Sequence, residues 1–269
     1  MQIISADERL RERRGAKILI LGPAGVGKTS LLRTLDPAKT LFGDSEAGDL
    51  AVQELPVPTI RINDWPTARD LACRFGGPNE SFPPTAAYSL AHFEAVGGYL
   101  EDLERYENIF IDSLTAVSRL SFRWSEQQPE AFSERTGRKD VRGSYGLHGR
   151  EMCLWLNQLQ HARAKNVIFV GILERVVDEL KHVEWQLQAE GSKTSREIPG
   201  IVDQIITYQF LDFDDGKPPI RGFVCTNPNP WGFPAKDRSG RLEQVEEPDL
   251  GKLLRKLTTH HKPKKETEK

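Results

Sequence analysis

Residues 17–30 read Lys17-Ile18-Leu19-Ile20-Leu21-Gly22-Pro23-Ala24-Gly25-Val26-Gly27-Lys28-Thr29-Ser30. The apolar first part predicts a buried β-strand, and the residues from Ser30 to Leu35 predict a helix behind it. Between the two lies the pattern G-x-x-x-x-G-K-[ST], whose glycines let several backbone N–H groups point at phosphate oxygens. The positive end of the following helix adds to that attraction. The stretch therefore predicts a phosphate-binding loop and, with it, a nucleotide site.

The polar residues of this loop have expected roles. We expect the loop from Gly22 to Ser30 to bind ATP, with Lys28 at the β- and γ-phosphates and the Thr29 hydroxyl on Mg²⁺. A chance match is the alternative, since a pattern of eight residues also arises by accident. The succession of strand, loop and helix favours the functional interpretation.

Length and composition set the size of the molecule. The chain has 269 residues, of which 38% are hydrophobic and 28% charged, enough for the core of one α/β domain. We predict an N-terminal helix in residues 1–15, one main domain in residues 16–257 and a basic disordered tail in residues 258–269. The sequence contains no run of about 18 apolar residues. We therefore expect a soluble protein of the bacterial cytoplasm with no membrane partner.

Charge and cysteine content exclude several classes of protein. The formal net charge of −2 excludes a globally basic nucleic-acid binder. Basic residues are nevertheless concentrated in residues 134–150 and 252–269. The three cysteines, Cys73, Cys153 and Cys225, form no C-x-x-C pair and indicate neither a disulfide framework nor a zinc site. Any contact with nucleic acid must therefore be local.

Two further strands are predicted to end in acidic residues. Thr40-Leu41-Phe42 leads into Gly43-Asp44-Ser45-Glu46, and Asn108-Ile109-Phe110-Ile111 leads into Asp112. Carboxylates at the carboxyl ends of parallel strands lie at the edge where ligands bind. We expect Asp112 to hold Mg²⁺. Since Ser113 rather than a glutamate follows Asp112, Glu46 is the best candidate to orient the attacking water, although an ordinary loop carboxylate is the alternative.

The remaining elements follow from periodicity and from glycine and proline positions. We predict strands at Thr59 to Asn63, Asn166 to Ile172 and Ile201 to Leu211, helices at Trp65 to Phe75, Glu151 to Ala164 and Glu247 to Leu257, and a terminal hairpin of Pro218 to Cys225 with Trp231 to Lys236.

The segments Phe42-Gly43-Asp44-Ser45-Glu46 and Ile111-Asp112-Ser113-Leu114-Thr115-Ala116 resemble those of RecA-type recombinases. The whole chain looks like the phage-encoded RecA-like ATPases of single-strand annealing and recombination. The resemblance implies an α/β RecA-like core with a mostly parallel sheet flanked by helices, hydrolysis of ATP with Mg²⁺, and assembly into a homo-oligomeric ring or filament. It also implies single-stranded DNA as a partner and Glu46 as the catalytic glutamate.

One departure from the RecA pattern concerns the strand ending near Ile172. RecA proteins carry there a glutamine that senses the γ-phosphate and couples it to DNA, whereas this chain has Ile172, with Glu174 two residues further on. Strand exchange is therefore a weaker expectation than ATP binding.

Two segments correspond to the DNA-binding loops of RecA-like proteins. The segment from Ser121 to Arg150 is predicted as a mobile loop whose cations track phosphates and whose aromatic ring stacks on a base. Its candidate DNA-binding residues are Arg138, Lys139, Arg142 and Tyr145. A solvated surface loop is the alternative, and His148 is expected at the surface or as a capping residue. The second segment, Val176 to Gly200, is either another DNA loop or an ordered cover over the sheet.

The segment Lys236-Asp237-Arg238-Ser239-Gly240 has the K-x-R-x-G form found in relatives of RecA-like hexameric helicases. There a β-hairpin tip projects both cations toward the γ-phosphate of the next subunit. Residues two apart on a strand share a face, so Lys236 and Arg238 are candidate catalytic residues supplied in trans. A solvated hairpin with two surface charges is the alternative.

Two other functions remain open. The chain could be an ATP-dependent loader or switch that acts on a replication or single-strand-binding protein. It could also be a small-molecule kinase, whose basic lid the segment from Arg135 to Arg150 would resemble. The position of Glu46 and the Lys236-x-Arg238 pair argue against a kinase.

Overall fold

The computed structural model describes residues 3–98, 101–177, 181, 183–213 and 216–258. The strands are β1 Lys17–Gly22, β2 Thr40–Asp44, β3 Thr59–Arg61, β4 Asn108–Asp112, β5 Asn166–Val177, β6 Val183–Leu187, β7 Gln204–Leu211, β8 Ile220–Val224, β9 Lys236–Asp237 and β10 Val245–Glu246. The α-helices are α1 Ala6–Arg11, α2 Trp65–Gly76, α3 Leu90–Ala95, α4 Glu101–Glu104, α5 Leu114–Ser125, α6 Val141–Gln160, α7 Ser192–Ile201 and α8 Leu250–Thr258. Short 3₁₀ helices occupy Thr29–Thr34, Pro37–Lys39, Asp49–Val52 and Pro129–Ala131.

One sheet runs through the molecule in the order β10-β8-β7-β1-β5-β4-β2-β3. The strands from β7 to β3 in this order pair in parallel. β8, β9 and β10 join as antiparallel strands, and β6 forms an antiparallel pair with β5. Because parallel strands share one direction, the carboxyl ends of β1, β2 and β4 meet at a single edge, which we call the carboxyl edge. The prediction of an α/β fold with a mostly parallel sheet is confirmed.

Both faces of the sheet are buried, which explains the unbroken apolar run of β1. Leu19 and Leu21 face one core, beneath α2, α5 and α6. Ile18 and Ile20 face a second core, which includes residues of the 3₁₀ helix Thr29–Thr34 and of α8. A strand covered on both sides reads as continuous hydrophobic sequence instead of alternating. The phosphate-binding loop thus follows a strand that is buried at every position.

The segment from Ser121 to Arg150 is largely helical, so the prediction of a mobile loop is wrong, whereas DNA binding by this segment stays a prediction. α5 extends to Ser125, and α6 begins at Val141, where the Asp140 side chain accepts a hydrogen bond from the Arg142 backbone N–H at 2.9 Å. The glycines that indicated a loop have a packing role instead. A Cβ atom on Gly143 would collide with the carbonyl oxygen of Glu130, so only glycine permits this close approach.

Two other expectations need correction. The helix after the phosphate-binding loop is a single 3₁₀ helix, Thr29–Thr34. The terminal hairpin of residues 218–225 with 231–236 does not form, because β8 pairs with β7 and β10 while β9 pairs with β7. In the second segment, residues 176–200, the described residues form the end of β5, β6 and most of α7, so this part is ordered, and both alternatives for its role stay predictions.

The chain ends fall only partly within the described residues. α1 has a capping box in which Ser5 and Glu8 bond reciprocally. The predicted basic tail lies outside the described residues except for Thr258. None of the helices in the described ranges is long and apolar enough to cross a membrane.

Candidate functional site

The phosphate-binding loop leaves β1 at the carboxyl edge in a conformation that needs glycine. Gly27 has φ of 101°, in the region that L side chains rarely adopt. At Gly22 the constraint is space, since a Cβ atom there would lie 2.6 Å from the carbonyl oxygen of Tyr208. The loop therefore packs closely on β7.

Lys28 lies over this loop. Its ammonium group donates hydrogen bonds to the carbonyl oxygens of Gly22 at 3.0 Å and Pro23 at 2.9 Å. Burial lowers the pKa of Lys28, while the carboxylates of Asp112 and Glu46 oppose that shift. The cation is thus held beside the loop by weak backbone acceptors, which phosphate oxygens could replace.

Asp112 at the carboxyl end of β4 contacts Thr29, the first residue of the 3₁₀ helix after the phosphate-binding loop. The Thr29 hydroxyl donates to Asp112 Oδ2 at 2.5 Å, and Asp112 is only 3% exposed. Burial raises the pKa of Asp112 to about 6, although the hydrogen bond from Thr29 lowers it. A carboxylate that is costly to bury without a counter-charge is a position where a cation binds favourably.

The donor set at this point suits Mg²⁺. Hydroxyl and carboxylate oxygens are the hard ligands that Mg²⁺ prefers, and it usually takes one or two protein groups with phosphates and water completing the shell. In the described part of the chain, no group of three or more His, Cys, Asp or Glu side chains could hold a metal by itself. The residues present therefore fit a magnesium ion that shares its ligands with a nucleotide.

Glu46 is brought next to Asp112 by two serines. The Ser113 hydroxyl donates to Glu46 Oε1, and the Ser113 backbone N–H donates to Ser45 Oγ at 2.8 Å. Asp44 shapes the turn, because its Oδ1 accepts from the Glu46 N–H at 3.1 Å and the Gly48 N–H at 3.2 Å. Glu46 is exposed, so its carboxylate is accessible to water. The sequence analysis did not predict this role of Asp44. The feature that could have indicated it is an aspartate at the last position of a strand.

Two residues near the loop were missed by the sequence reasoning. Arg221 on β8 and the hydroxyl of Tyr208 on β7 both lie beside Gly27. Neither belongs to a recognised motif, and their approach to the loop depends on the antiparallel pairing of β7 with β8. The available signal was a single charged residue in the otherwise apolar run from Ile220 to Val224.

The four candidate DNA-binding residues lie around the start of α6. Lys139 pairs with Glu126 at 2.5 Å, and the Tyr145 ring packs on Phe122 with centroids 4.4 Å apart. Arg138 lies in the turn before α6, and Arg142 lies in its first turn and is exposed. Two of the four side chains therefore already contact their own chain.

His148 contradicts its predicted surface position. It is fully buried in α6, where Nδ1 lies 3.0 Å from the Ser121 hydroxyl and Nε2 lies 2.8 Å from the carbonyl oxygen of Glu190. Burial lowers the pKa of His148. The histidine links α5, α6 and the segment before α7.

Lys236 and Arg238 both contact the end of α7, and they do not lie on a projecting hairpin tip. Lys236 donates to the carbonyl oxygens of Pro199 and Val202, the latter at 2.8 Å. Arg238 pairs with Asp203 at 3.0 Å and donates to the Gly200 carbonyl oxygen at 3.1 Å. The negative end of α7 attracts both cations. β9 pairs with the start of β7, so the pair lies at the sheet edge opposite the phosphate-binding loop.

The glycine-constrained loop after β1, the Thr29–Asp112 contact and the parallel sheet define a P-loop NTPase. A family model described as an AAA domain matches residues 14–239, and the chain belongs to this family. No curated protein matches the sequence.

Several solved structures are similar at low identity. The KaiC-like protein PH0186 of Pyrococcus horikoshii OT3 is 12% identical, with 78% of each chain covered and a TM-score of 0.37. The flagellar accessory protein FlaH of Methanocaldococcus jannaschii is 12% identical, with 86% of this chain and 87% of that chain covered and a TM-score of 0.35. An ATPase from the type III secretion system of pathogenic bacteria is 16% identical, with 73% of this chain and 51% of that chain covered and a TM-score of 0.41. These scores are too low to bear on function.

Proposed function

We propose that this chain binds ATP together with Mg²⁺ and hydrolyses it to ADP and phosphate. The proposal is carried by one observation: three neighbouring parallel strands or the segments directly after them supply Lys28, Thr29, Asp112 and Glu46, which meet at the carboxyl edge. Thr29 contacts Asp112, and Ser113 joins Glu46 to the same strand end.

Each side chain has a defined task in this mechanism. Lys28 and the N–H groups of the loop stabilise negative charge on the β- and γ-phosphates. Thr29 and Asp112 would hold Mg²⁺, which would supply positive charge that offsets the charge of the phosphates. Glu46 orients the attacking water and takes its proton. Lys236 and Arg238 complete the site from a neighbouring subunit of a ring or filament, which requires them to leave their contacts with α7.

We further propose that the ATPase serves DNA recombination or single-strand annealing in a phage or prophage, in the bacterial cytoplasm. The resemblance of the Glu46 and Asp112 segments to RecA-type proteins supports this role. Single-stranded DNA would bind through Arg138, Lys139, Arg142 and Tyr145, all of which are exposed.

A second candidate is an ATP-dependent loader or switch for a replication or single-strand-binding protein. The observation in its favour is that Lys139 and Tyr145 already have partners within the chain. A switch of this kind needs the nucleotide site but no groove for a single strand.

The rate of ATP hydrolysis with and without single-stranded DNA, duplex DNA and RNA separates the two roles. Stimulation by single strands alone supports recombination or annealing. Indifference to all three nucleic acids supports the loader.

The variant Lys28→Ala tests the nucleotide site itself. We expect turnover to fall by about 10²- to 10³-fold, because one preorganised donor to the developing charge is lost. The exposed Lys252→Ala in α8 removes the same charge elsewhere and is expected to hydrolyse ATP normally. Circular dichroism checks that both variants fold, and normal hydrolysis by folded Lys28→Ala protein would sink the assignment.

A further inference from the structure

One cation lies beside the phosphate-binding loop on the side away from Asp112. In Arg221, Nη1 lies 3.7 Å and Cζ 3.8 Å from the position that a Cβ atom would take on Gly27. The Tyr208 hydroxyl lies 3.8 Å from the same position. Gly27 immediately precedes Lys28, so this guanidinium flanks the part of the loop whose N–H groups face phosphate.

Neighbouring side chains fix the position of Arg221. Arg221 lies directly opposite Phe210 in the β7–β8 ladder, and its guanidinium carbon is 5.0 Å from the centroid of the Phe210 ring. Tyr208 is buried and packs edge-on against Phe223, with ring centroids 5.2 Å apart. Burial raises the pKa of Tyr208, and the charge of Arg221 opposes that shift. The exposed arginine therefore lies within cation–π distance of the Phe210 ring.

The strand order gives the site a direction. β5, β4 and β2 lie on one side of β1 and carry Asp112 and Glu46 at their ends, whereas β7 and β8 lie on the other side. A nucleotide whose γ-phosphate faces Glu46 and whose β-phosphate lies in the loop must extend its remaining phosphate and nucleoside toward β7 and β8. In the part of the chain that the structure describes, Arg221 is a cation at that end.

We propose that Arg221 binds the α- and β-phosphates of the nucleotide from within the same chain, an inference that rests on the proposed ATP site. A guanidinium suits this task because its planar fork donates two parallel hydrogen bonds to phosphate oxygens. ADP and ATP share both phosphates, so the contact strengthens the binding of both nucleotides equally. Uniform binding of this kind lowers the dissociation constant without accelerating the chemical step.

Calorimetric titration with ADP and with a non-hydrolysable ATP analogue, both with Mg²⁺, tests the proposal. We expect Arg221→Ala to weaken both by roughly 10- to 100-fold, the value of a hydrogen bond to a charged group. Arg221→Lys keeps the charge without the fork and is expected to lose less. The matched control is Arg9→Ala in α1, an exposed arginine far along the chain from the loop, which should bind both nucleotides like the wild type.

Three outcomes would overturn parts of this account. If Arg221→Ala binds ADP normally while Lys28→Ala does not, Arg221 is a bystander and the ATP site stands. If Arg221→Ala loses affinity for ADP but not for inorganic tripolyphosphate, the arginine acts on the nucleoside and the phosphate assignment is wrong. If Lys28→Ala also binds normally, the proposed function itself fails. Equal losses for ADP and tripolyphosphate in Arg221→Ala support the proposal.

Discussion

The residues assigned to the nucleotide and the residues assigned to outside partners differ in what they contact. Thr29, Asp112 and Glu46 lie together at the carboxyl edge and are bonded to one another or through Ser113. Lys139 and Arg238, assigned to DNA and to a neighbouring subunit, are instead paired with Glu126 and Asp203 of their own chain. A site built within one chain is thus already assembled, whereas intermolecular contacts must compete with existing ones.

The largest expected effect concerns the neighbouring subunit. An arginine supplied in trans is worth about 10³ to 10⁵ in rate, so Arg238→Ala should be nearly inactive. Mixing it with inactive Glu46→Gln protein creates interfaces that pair an intact Glu46 with an intact Arg238, and activity should partly return. The measurement is ATP hydrolysis in mixtures that light scattering shows to co-assemble.

If activity does not recover in such mixtures, Arg238 does not act on a neighbouring subunit. Its role is then structural, through its contacts with Asp203 and Gly200 of its own chain. In that case Asp203→Asn, which removes this ion pair together with the one to Arg14, should be at least as impaired as Arg238→Ala.

The next effect lies within the nucleotide site. Glu46→Gln should bind ATP normally and hydrolyse it about 10²- to 10⁴-fold more slowly, because the amide keeps the shape and cannot accept the proton of water. Calorimetry and a phosphate-release assay measure the two properties separately. Normal hydrolysis would transfer the role of base to another carboxylate, of which Glu174 is the first to test.

The third effect is a change in stability with pH. The pKa of Asp112 is raised from 3.8 to about 6, so the folded state holds this proton more tightly than the unfolded state. Protonated Asp112 therefore contributes on the order of 3 kcal/mol to the free energy of unfolding. This contribution is fully present below about pH 4 and is lost as the pH rises through 6. Asparagine does not titrate, so Asp112→Asn does not lose stability in this way. In denaturant titrations without Mg²⁺, its free energy of unfolding should increase relative to that of the wild type between pH 4 and 6.

The same Asp112→Asn protein should fail to bind ATP in a Mg²⁺-dependent manner, since the amide is a weaker ligand for a hard cation. If the variant gains stability and still binds ATP in a Mg²⁺-dependent manner, the assignment of Asp112 as a metal ligand is wrong.

The smallest expected effect concerns DNA. Replacing Arg138, Lys139 and Arg142 by alanine should flatten the slope of log K against log salt for single-stranded DNA by about 2, because three phosphate contacts no longer release counterions. A matched variant that neutralises Arg9, Arg11 and Arg13 near α1 controls for total charge. Equal slopes in the wild type and the first variant would show that this segment does not bind DNA.

The positions of the nucleotide-site residues could be predicted from the sequence, because each of them belongs to a short continuous motif or directly follows a predicted strand. The loop from Gly22 to Ser30 is continuous, and Asp112 and Glu46 each follow a strand end that parallel pairing brings to the same edge. The start of α6 could not be placed in this way. In the sequence, Gly143 indicates a loop. Only the structure shows that the carbonyl group of Glu130, thirteen residues earlier, packs against it and requires glycine there.

Apolar runs and glycine spacing thus fix the parallel sheet, its buried central strand and the loop that follows, because these features need only the chain's own periodicity and backbone freedom. The approach of Arg221 to Gly27, the burial of His148 and the binding of Lys236 and Arg238 to the end of α7 have no such local cause. They arise when segments distant in sequence pack together, since only then do a long cation and its carbonyl or aromatic partner come within contact distance.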